Sequence, residues 1–304
     1  MTTEAAHPPV HDLKRGIVLI TIAFLFSAIM SAFSKAAAGV PPLLLLFFQY
    51  SISFLVFVPL TVNAGPQILK TDHLFLHVFR SLAGSCCQLL FFVAVKSLPL
   101  MDAVLLTNAA PLFIPLIVYV WFRKSVQPIV WLSLFIGLIG IVLIINPGRQ
   151  MFQNPSSLIA LGAGLCSALA LVATNKLSET EPPTRILFYN FGISTLLLIP
   201  VCLAAWRPPS MREWLLVLAV GAFYAATQYF IILAYRYANA VETSPFNYTV
   251  VIFSGLLGWI FFGNIPAPAA ILGTLLICAG GILSTRAGHR EGLGHPFGTG
   301  HWSH

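Results

Sequence analysis

Apolar residues come in ten runs of similar length, at roughly 16–38, 42–62, 74–96, 101–122, 128–146, 157–176, 184–206, 213–235, 241–262 and 268–285. Each approaches the ~20 residues that an α-helix needs to cross ~30 Å of hydrocarbon. Alternation with a period of two is absent, which argues against a barrel. The breaks between runs are short and carry helix-stopping residues: Gly39–Val40–Pro41–Pro42, Gly65–Pro66, Pro147–Gly148, Pro182–Pro183 and Pro208–Pro209. The pattern predicts an all-α membrane protein of ten transmembrane helices. The first run, with its basic flank and Ala36–Ala37–Ala38, has the look of a signal peptide; its counterpart at 157–176 needs no cleavage, so it is read as a retained helix.

The runs fall into two sets of five. From Gln88 the chain reads QLLFFVAVKSLPLMDAVLLTN, and from Gln228 it reads QYFIILAYRYANAVETSPFNY. A constant shift of 140 pairs Gln88 with Gln228, Ala94 with Ala234, Lys96 with Arg236 and Asp102 with Glu242. The same shift, without a gap, pairs Ser27 with Ser167, Phe48 with Phe188, Phe122 with Phe262, Pro128 with Pro268 and Gly140 with Gly280. One offset holding from the start of each half to its end reads as an internal duplication.

Composition agrees: 58% of the 304 residues are hydrophobic and 8% are charged, against about 25% charged in a soluble domain. The net charge of +7 forms no basic stripe, so nucleic acid is not an expected partner; the lipid bilayer is. With both termini in the cytoplasm, that side receives Lys14, Arg15, Lys70, Arg80, Arg123, Lys124, Lys176, Arg185, Arg236, Arg286 and Arg290. The opposite side receives Lys35, Lys96, Arg149, Arg207 and Arg212, and the bias favours this orientation in a cell (inner or plasma) membrane. Five helices per repeat is an odd number, so the second repeat is inverted relative to the first, an architecture that places its site near the mid-plane. The expected units are a cytoplasmic tail at 1–15, repeats at 16–150 and 151–286, and a disordered cytoplasmic tail at 287–304.

Three stretches resemble the drug/metabolite transporter superfamily, in its EamA-like branch. They are the turn from Ala94 to Ala103 (A-V-x-L-P-x-x-D-A), Asn108–Ala109–Ala110–Pro111, and Gly258 to Pro266 (G-W-x-F-F-G-N-x-P) before a Gly-rich last span. The resemblance covers about residues 16–286 and implies two five-helix repeats that carry amino acids, nucleotide-linked sugars or other metabolites. The family's usual glutamate after the fourth and ninth spans is replaced here by Lys124 and Asn264. Its role is therefore not carried over.

Candidate chemistry lies where polar groups interrupt the runs. Gln88, Asn108, Gln228 and Asn247 place amides at depth, joined by Tyr224 and Tyr248; Ser27, Ser31, Ser167, Tyr189 and Asn190 are weaker candidates. Each amide alone is explained by an interhelical hydrogen bond; all four together point to a substrate site. Arg80, two turns into the third run, shares a face with Gly84 and Gln88. It either meets a carboxylate or phosphate on the substrate or snorkels to the headgroups. Pro111 and Pro115 break the fourth run and free the carbonyls of Thr107 and Pro111; such breaks mark binding sites in inverted repeats. Asp102 and Glu242 suit the positive ends of the fourth and ninth helices, or they gate by pairing with Lys96 or Arg236.

The nine acids fall in tails, loops or helix ends, which favours exchange or facilitated diffusion over proton coupling. Cys86, Cys87, Cys166, Cys202 and Cys278 sit in apolar runs with no metal spacing, and no cofactor motif is present. Small residues in the last span of each half (Gly137, Gly140, Gly273, Gly280) suit close packing or self-association, leaving monomer and homodimer both open. The leading expectation is a secondary transporter of small polar or amphipathic metabolites, amino acids first, because aromatic rings beside amides suit a zwitterion with an apolar part. The alternative is an exchanger of nucleotide-linked or phosphorylated metabolites. A channel is a third reading, for which no filter sequence or charged ring is visible. A membrane enzyme lacks any nucleophile–base pair.

Overall fold

The computed structural model describes residues 12–63, 69–110, 155–178, 180–204, 206–235, 249–264 and 268–290, with isolated positions between them. The described elements are helices: α1 (Leu13–Ala36), α2 (Pro42–Asn63), α3 (Leu74–Ser97), α4 (Leu100–Thr107), α5 (Ser156–Ser178), α6 (Pro183–Ala204), α7 (Met211–Tyr235), α8 (Thr249–Phe262) and α9 (Pro268–Arg290). Among them α1, α2, α3, α5 and α7 each contain a stretch long and apolar enough to cross a membrane, and α8 is a shorter apolar helix. The protein is a multi-pass integral membrane protein.

Local chemistry sets the helix ends. Asp12 caps α1 by accepting a hydrogen bond from the Arg15 amide at 3.1 Å. Pro42, Pro183 and Pro268 occupy first helical positions, where the missing N–H costs nothing. Leu98 takes an extended conformation before Pro99 and ends α3. Gly263 adopts φ 65° and donates to the Trp259 carbonyl at 3.1 Å, closing α8 with a left-handed cap.

Apolar side chains face outward as well as inward. Leu55, Leu215, Ile252 and Phe261 are about two-thirds exposed, a surface that lipid can cover and water cannot. Inside, Tyr50, Phe92, Phe191 and Leu105 are fully buried. Packing is dominated by contacts between the two halves: α1 against α7, α3 against α5, and α2 against both α6 and α7.

The direction of each crossing follows from the side chains that meet. In α1 and α7, Phe33 meets Phe223 while Phe26 meets Phe230, so the helices run antiparallel. In α3 and α5, Arg80 meets Thr174, Cys86 meets Cys166 and Gly162 faces Leu90, again antiparallel. By contrast α3 runs alongside α6, with His77 on Tyr189 and Ser85 on Ser194. Similarly α2 runs alongside α7, with Tyr50 on Tyr224 and Phe57 on Tyr229. Adding 140 to α1, α2 and α3 lands on α5, α6 and α7, so each crossing has a counterpart of the same sense.

The fourth run is not one continuous helix. α4 stops at Thr107, and Asn108–Ala109 form a turn, with the Ala109 amide donating to Leu106 rather than one residue further back. Gly164 on α5 lies against this break: a Cβ there would stand 2.7 Å from the Leu106 carbonyl oxygen and 3.5 Å from that of Thr107. Pro111 and Pro115, expected to cause the break, lie outside the described residues.

Candidate functional site

The inward face of α3 carries a file of polar positions about one turn apart: His77, Arg80, Gly84 and Gln88. Helical geometry puts them on one side, because residues three and four apart lie over one another. This file faces α5 and α6 and then the crossing of α2 with α7.

At its first turn, His77 is buried and stacks on Tyr189, ring centroids 4.6 Å apart, and neither ring nitrogen has a hydrogen-bond partner. Above it the loops of the two halves are tied together. Thr71 donates to Glu181 at 2.6 Å, Arg185 pairs with the other Glu181 oxygen, and the Tyr189 hydroxyl donates to the Leu69 carbonyl at 2.7 Å. Burial pushes the Glu181 carboxyl up, but the bonds from Thr71 and Arg185 more than offset it and hold the group below the usual carboxylate range.

One turn on, Arg80 is 7% exposed and its Nε donates to the Thr174 hydroxyl at 2.7 Å. The side chain therefore reaches inward to α5. Gly84 follows. A Cβ there would stand 3.7 Å from Tyr50 Oη and 3.9 Å from Asn190 Oδ1, so the missing side chain leaves two polar atoms facing the helix backbone. Tyr50 meets Tyr224 edge to face at 5.6 Å, and both rings pack on Phe191. The Tyr50 hydroxyl is fully buried with no hydrogen-bond partner, and both side-chain polar atoms of the neighbouring Gln49 are in the same state. Gln88, half-buried, interacts with the Tyr224 hydroxyl, and Ser85 donates to Ser194 at 2.9 Å across α3 and α6.

Arg80, Gln88 and Tyr224 are thus brought together. Gln228 is half-buried on α7, one turn beyond Tyr224. Asn108 turns its amide back to the Val104 carbonyl at 2.8 Å, at the end of α4. Asn247, Tyr248, Glu242 and Arg236 lie outside the described residues. Asp102 stands in the first turn of α4, whose N-cap is Pro99, and the cation it interacts with is Lys35. Lys96 is exposed, whereas Lys35 donates to the Val95 and Leu98 carbonyls at the end of α3. Ser31 is spent on the Ser27 carbonyl within its own helix.

Sequence reasoning missed Tyr50, Gln49, Thr174 and Ser194. A single tyrosine or hydroxyl in an apolar run reads as core. The signal was available for one of them, since Tyr50 is the mate of Asn190 under the 140-residue shift, as Gly84 is of Tyr224.

The EamA-like transporter family model matches residues 14–146 and again 154–286. The pseudopaline exporter CntI of Pseudomonas aeruginosa is 27% identical over 279 residues, covering 90% of this chain and 97% of its own. The riboflavin transporter of Brucella anthropi is 30% identical over 239 residues, covering 75% and 82%. The S-adenosylmethionine uptake transporter of Rickettsia prowazekii is 26% identical over 237 residues, covering 76% and 78%. A solved crystal structure aligns over 91% of this chain and 99% of its own with a TM-score of 0.63, sharing the fold at 21% identity. Family and relatives are transporters rather than enzymes, and with the family model matched once in each half, the chain belongs to the EamA-like transporter family of the drug/metabolite transporter superfamily.

Proposed function

We propose that the protein is a secondary transporter working by alternating access of two inverted five-helix repeats about a central site. It would sit in the cell (inner or plasma) membrane with both termini cytoplasmic, and carry small polar or amphipathic metabolites, amino acids first. The observation that supports this best is the α2–α3–α6–α7 crossing. Tyr50 and Asn190, mates under the 140-residue shift, both face Gly84, and the mate of Gly84 is Tyr224, which packs on Tyr50. Polar groups that converge in this way about a local two-fold relation are what an inverted repeat requires of a central site. The antiparallel α1–α7 and α3–α5 crossings also support inversion, since helices of odd rank in two inverted repeats run in opposite directions.

The relatives carry pseudopaline, riboflavin and S-adenosylmethionine, by export or by uptake. Such spread leaves the substrate class to the site itself. Tyrosine and phenylalanine rings beside Gln88, Gln228 and Asn190 suit a molecule with one apolar and one hydrogen-bonding part.

Counterflow into proteoliposomes carrying the full chain tests the reading. A panel of labelled amino acids, with a nucleotide-linked sugar and a sugar phosphate as the competing class, should show saturable uptake accelerated by internal unlabelled substrate. Flux linear in concentration and indifferent to internal substrate would establish a channel. Acceleration confined to the phosphorylated compounds would move the cargo to the competing class.

A further inference from the structure

We propose that Arg80 is the binding group for an anionic moiety, a carboxylate or phosphate, on the transported molecule. This rests on the transporter reading and narrows its substrate class.

Arg80 is a buried cation whose partner is neutral. Its Nε donates to Thr174 Oγ1, and the Thr174 hydroxyl proton goes to the Ala170 carbonyl at 2.7 Å, so threonine offers a lone pair and no charge. Among the described residues no carboxylate stands within ion-pair distance of the guanidinium. Of the described acids at this end of α3, Glu181 is already committed, one oxygen to Thr71 and the other to Arg185, and Asp72 is exposed in the loop before the helix. The groups electrostatically coupled to Arg80 are the phenols of Tyr50 and Tyr224, with His77 one turn away on the same face. An uncompensated cation in a bilayer-embedded bundle is expensive, and that cost falls when an anion arrives.

The fold does not need a charge here. The position equivalent to Arg80 in the second repeat is Val220, fully buried on α7. The same helix packs the same way with an aliphatic side chain. The guanidinium thus breaks the pseudo-symmetry at the place where the two halves share a polar cluster. Its planar fork is suited to a carboxylate or phosphate, and the buried Tyr50 hydroxyl faces Gly84 one turn along the same helix.

The test uses the purified full chain in neutral detergent, with benzoate and phenyl phosphate as anionic probes and benzamide as the neutral isostere. Benzoate or phenyl phosphate should raise the unfolding temperature of the wild type, and benzamide should not. In Arg80→Met the half-maximal concentration should rise about tenfold or more, the loss expected of a charge-assisted hydrogen bond. Should that variant fail to fold, the benzoate–benzamide comparison on the wild type decides. Equal shifts for the two, or anion shifts unchanged in a folded Arg80→Met, overturn the proposal. Stabilisation by phosphatidylglycerol alone would assign the site to a lipid headgroup and overturn it as a cargo site. Arg80-dependent anion binding without counterflow would keep the site and sink the transporter reading; counterflow indifferent to anions and to Arg80 would do the reverse.

Discussion

Tyr50 and Tyr224 meet edge to face, ring centroids 5.6 Å apart and planes at 83°, and their mates under the 140-residue shift, Asn190 and Gly84, lie against the same contact. Edge-to-face packing directs ring hydrogens at a π face and fixes both rings. The two hydroxyls are then carried by a rigid aromatic base that also includes Phe191. Four residues from two copies of one ancestral helix set thus build a single polar centre.

The centre should tolerate a methyl group at one glycine and not at two others. A Cβ on Gly84 would make ordinary contacts at 3.7 and 3.9 Å, so Gly84→Ala should unfold within a few degrees of the wild type while weakening substrate affinity. On Gly221 the nearest atom would be Ile52 Cβ at 2.6 Å, and on Gly164 the Leu106 carbonyl at 2.7 Å. Those alanines overpack and should each destabilise by about 1–3 kcal/mol. Thermal unfolding in detergent, with the three variants side by side, checks the order.

Much of this was legible in the chain, for a physical reason. A bilayer allows helices and little else, so apolar runs and their breakers mark elements closely: the run at 74–96 became Leu74–Ser97, and that at 213–235 became Met211–Tyr235. Depth alone left Arg80 either turned inward or snorkelling to the headgroups, and the structure turns it inward. What hydropathy could not reveal was pairing. Nothing local says that Arg80 will meet Thr174, that Asp102 will answer to Lys35 rather than Lys96, or that Asn108 will bend back on Val104. Those depend on which helix crosses which, and at what height.

The paired amides give the second prediction. Gln88 lies near the Tyr224 hydroxyl, and Gln228 follows one turn beyond it on α7. An amide that serves the substrate leaves a polar group unpaired when it is lost, at a cost of ~1–3 kcal/mol. Gln88→Leu and Gln228→Leu should each weaken apparent affinity roughly tenfold, at about 1.4 kcal/mol per decade. Unfolding temperature should move little, because the replacement keeps volume at lipid depth. Normal half-saturation in both variants would place the substrate on another face.

The tie between the halves should be sensitive to acid. Glu181 is held below the usual carboxylate range, so it contributes stability above its unfolded pKa of about 4.3, and that contribution is lost as pH falls through the depressed folded value. The unfolding temperature of the wild type should exceed that of Glu181→Gln at pH 7. The gap should close as the pH is lowered below the ordinary carboxylate range. A gap that widens in acid would reverse the sign and show that the Thr71 and Arg185 bonds do not favour the ionised form.

Sidedness gives the last prediction. Loops joined in the structure must share a face: the 69–71 segment is tied to Glu181 and Tyr189, while Gly39 sits by Glu213, a Cβ there falling 3.5 Å from its Oε1. An odd number of crossings separates the first pair from the second. If both termini are cytoplasmic, cysteines replacing Lys70 and Thr180 should react with an impermeant thiol reagent from the cytoplasmic side. Cysteines replacing Gly39 and Arg207 should react from the other side, each introduced into a background with the five native cysteines removed. The positive-inside count favours that orientation over its mirror. Labelling of positions 70 and 39 from one side would break the inverted-repeat arrangement, because α2 would then fail to cross the bilayer. Labelling of every position from the opposite side to that expected would keep the fold and flip the protein.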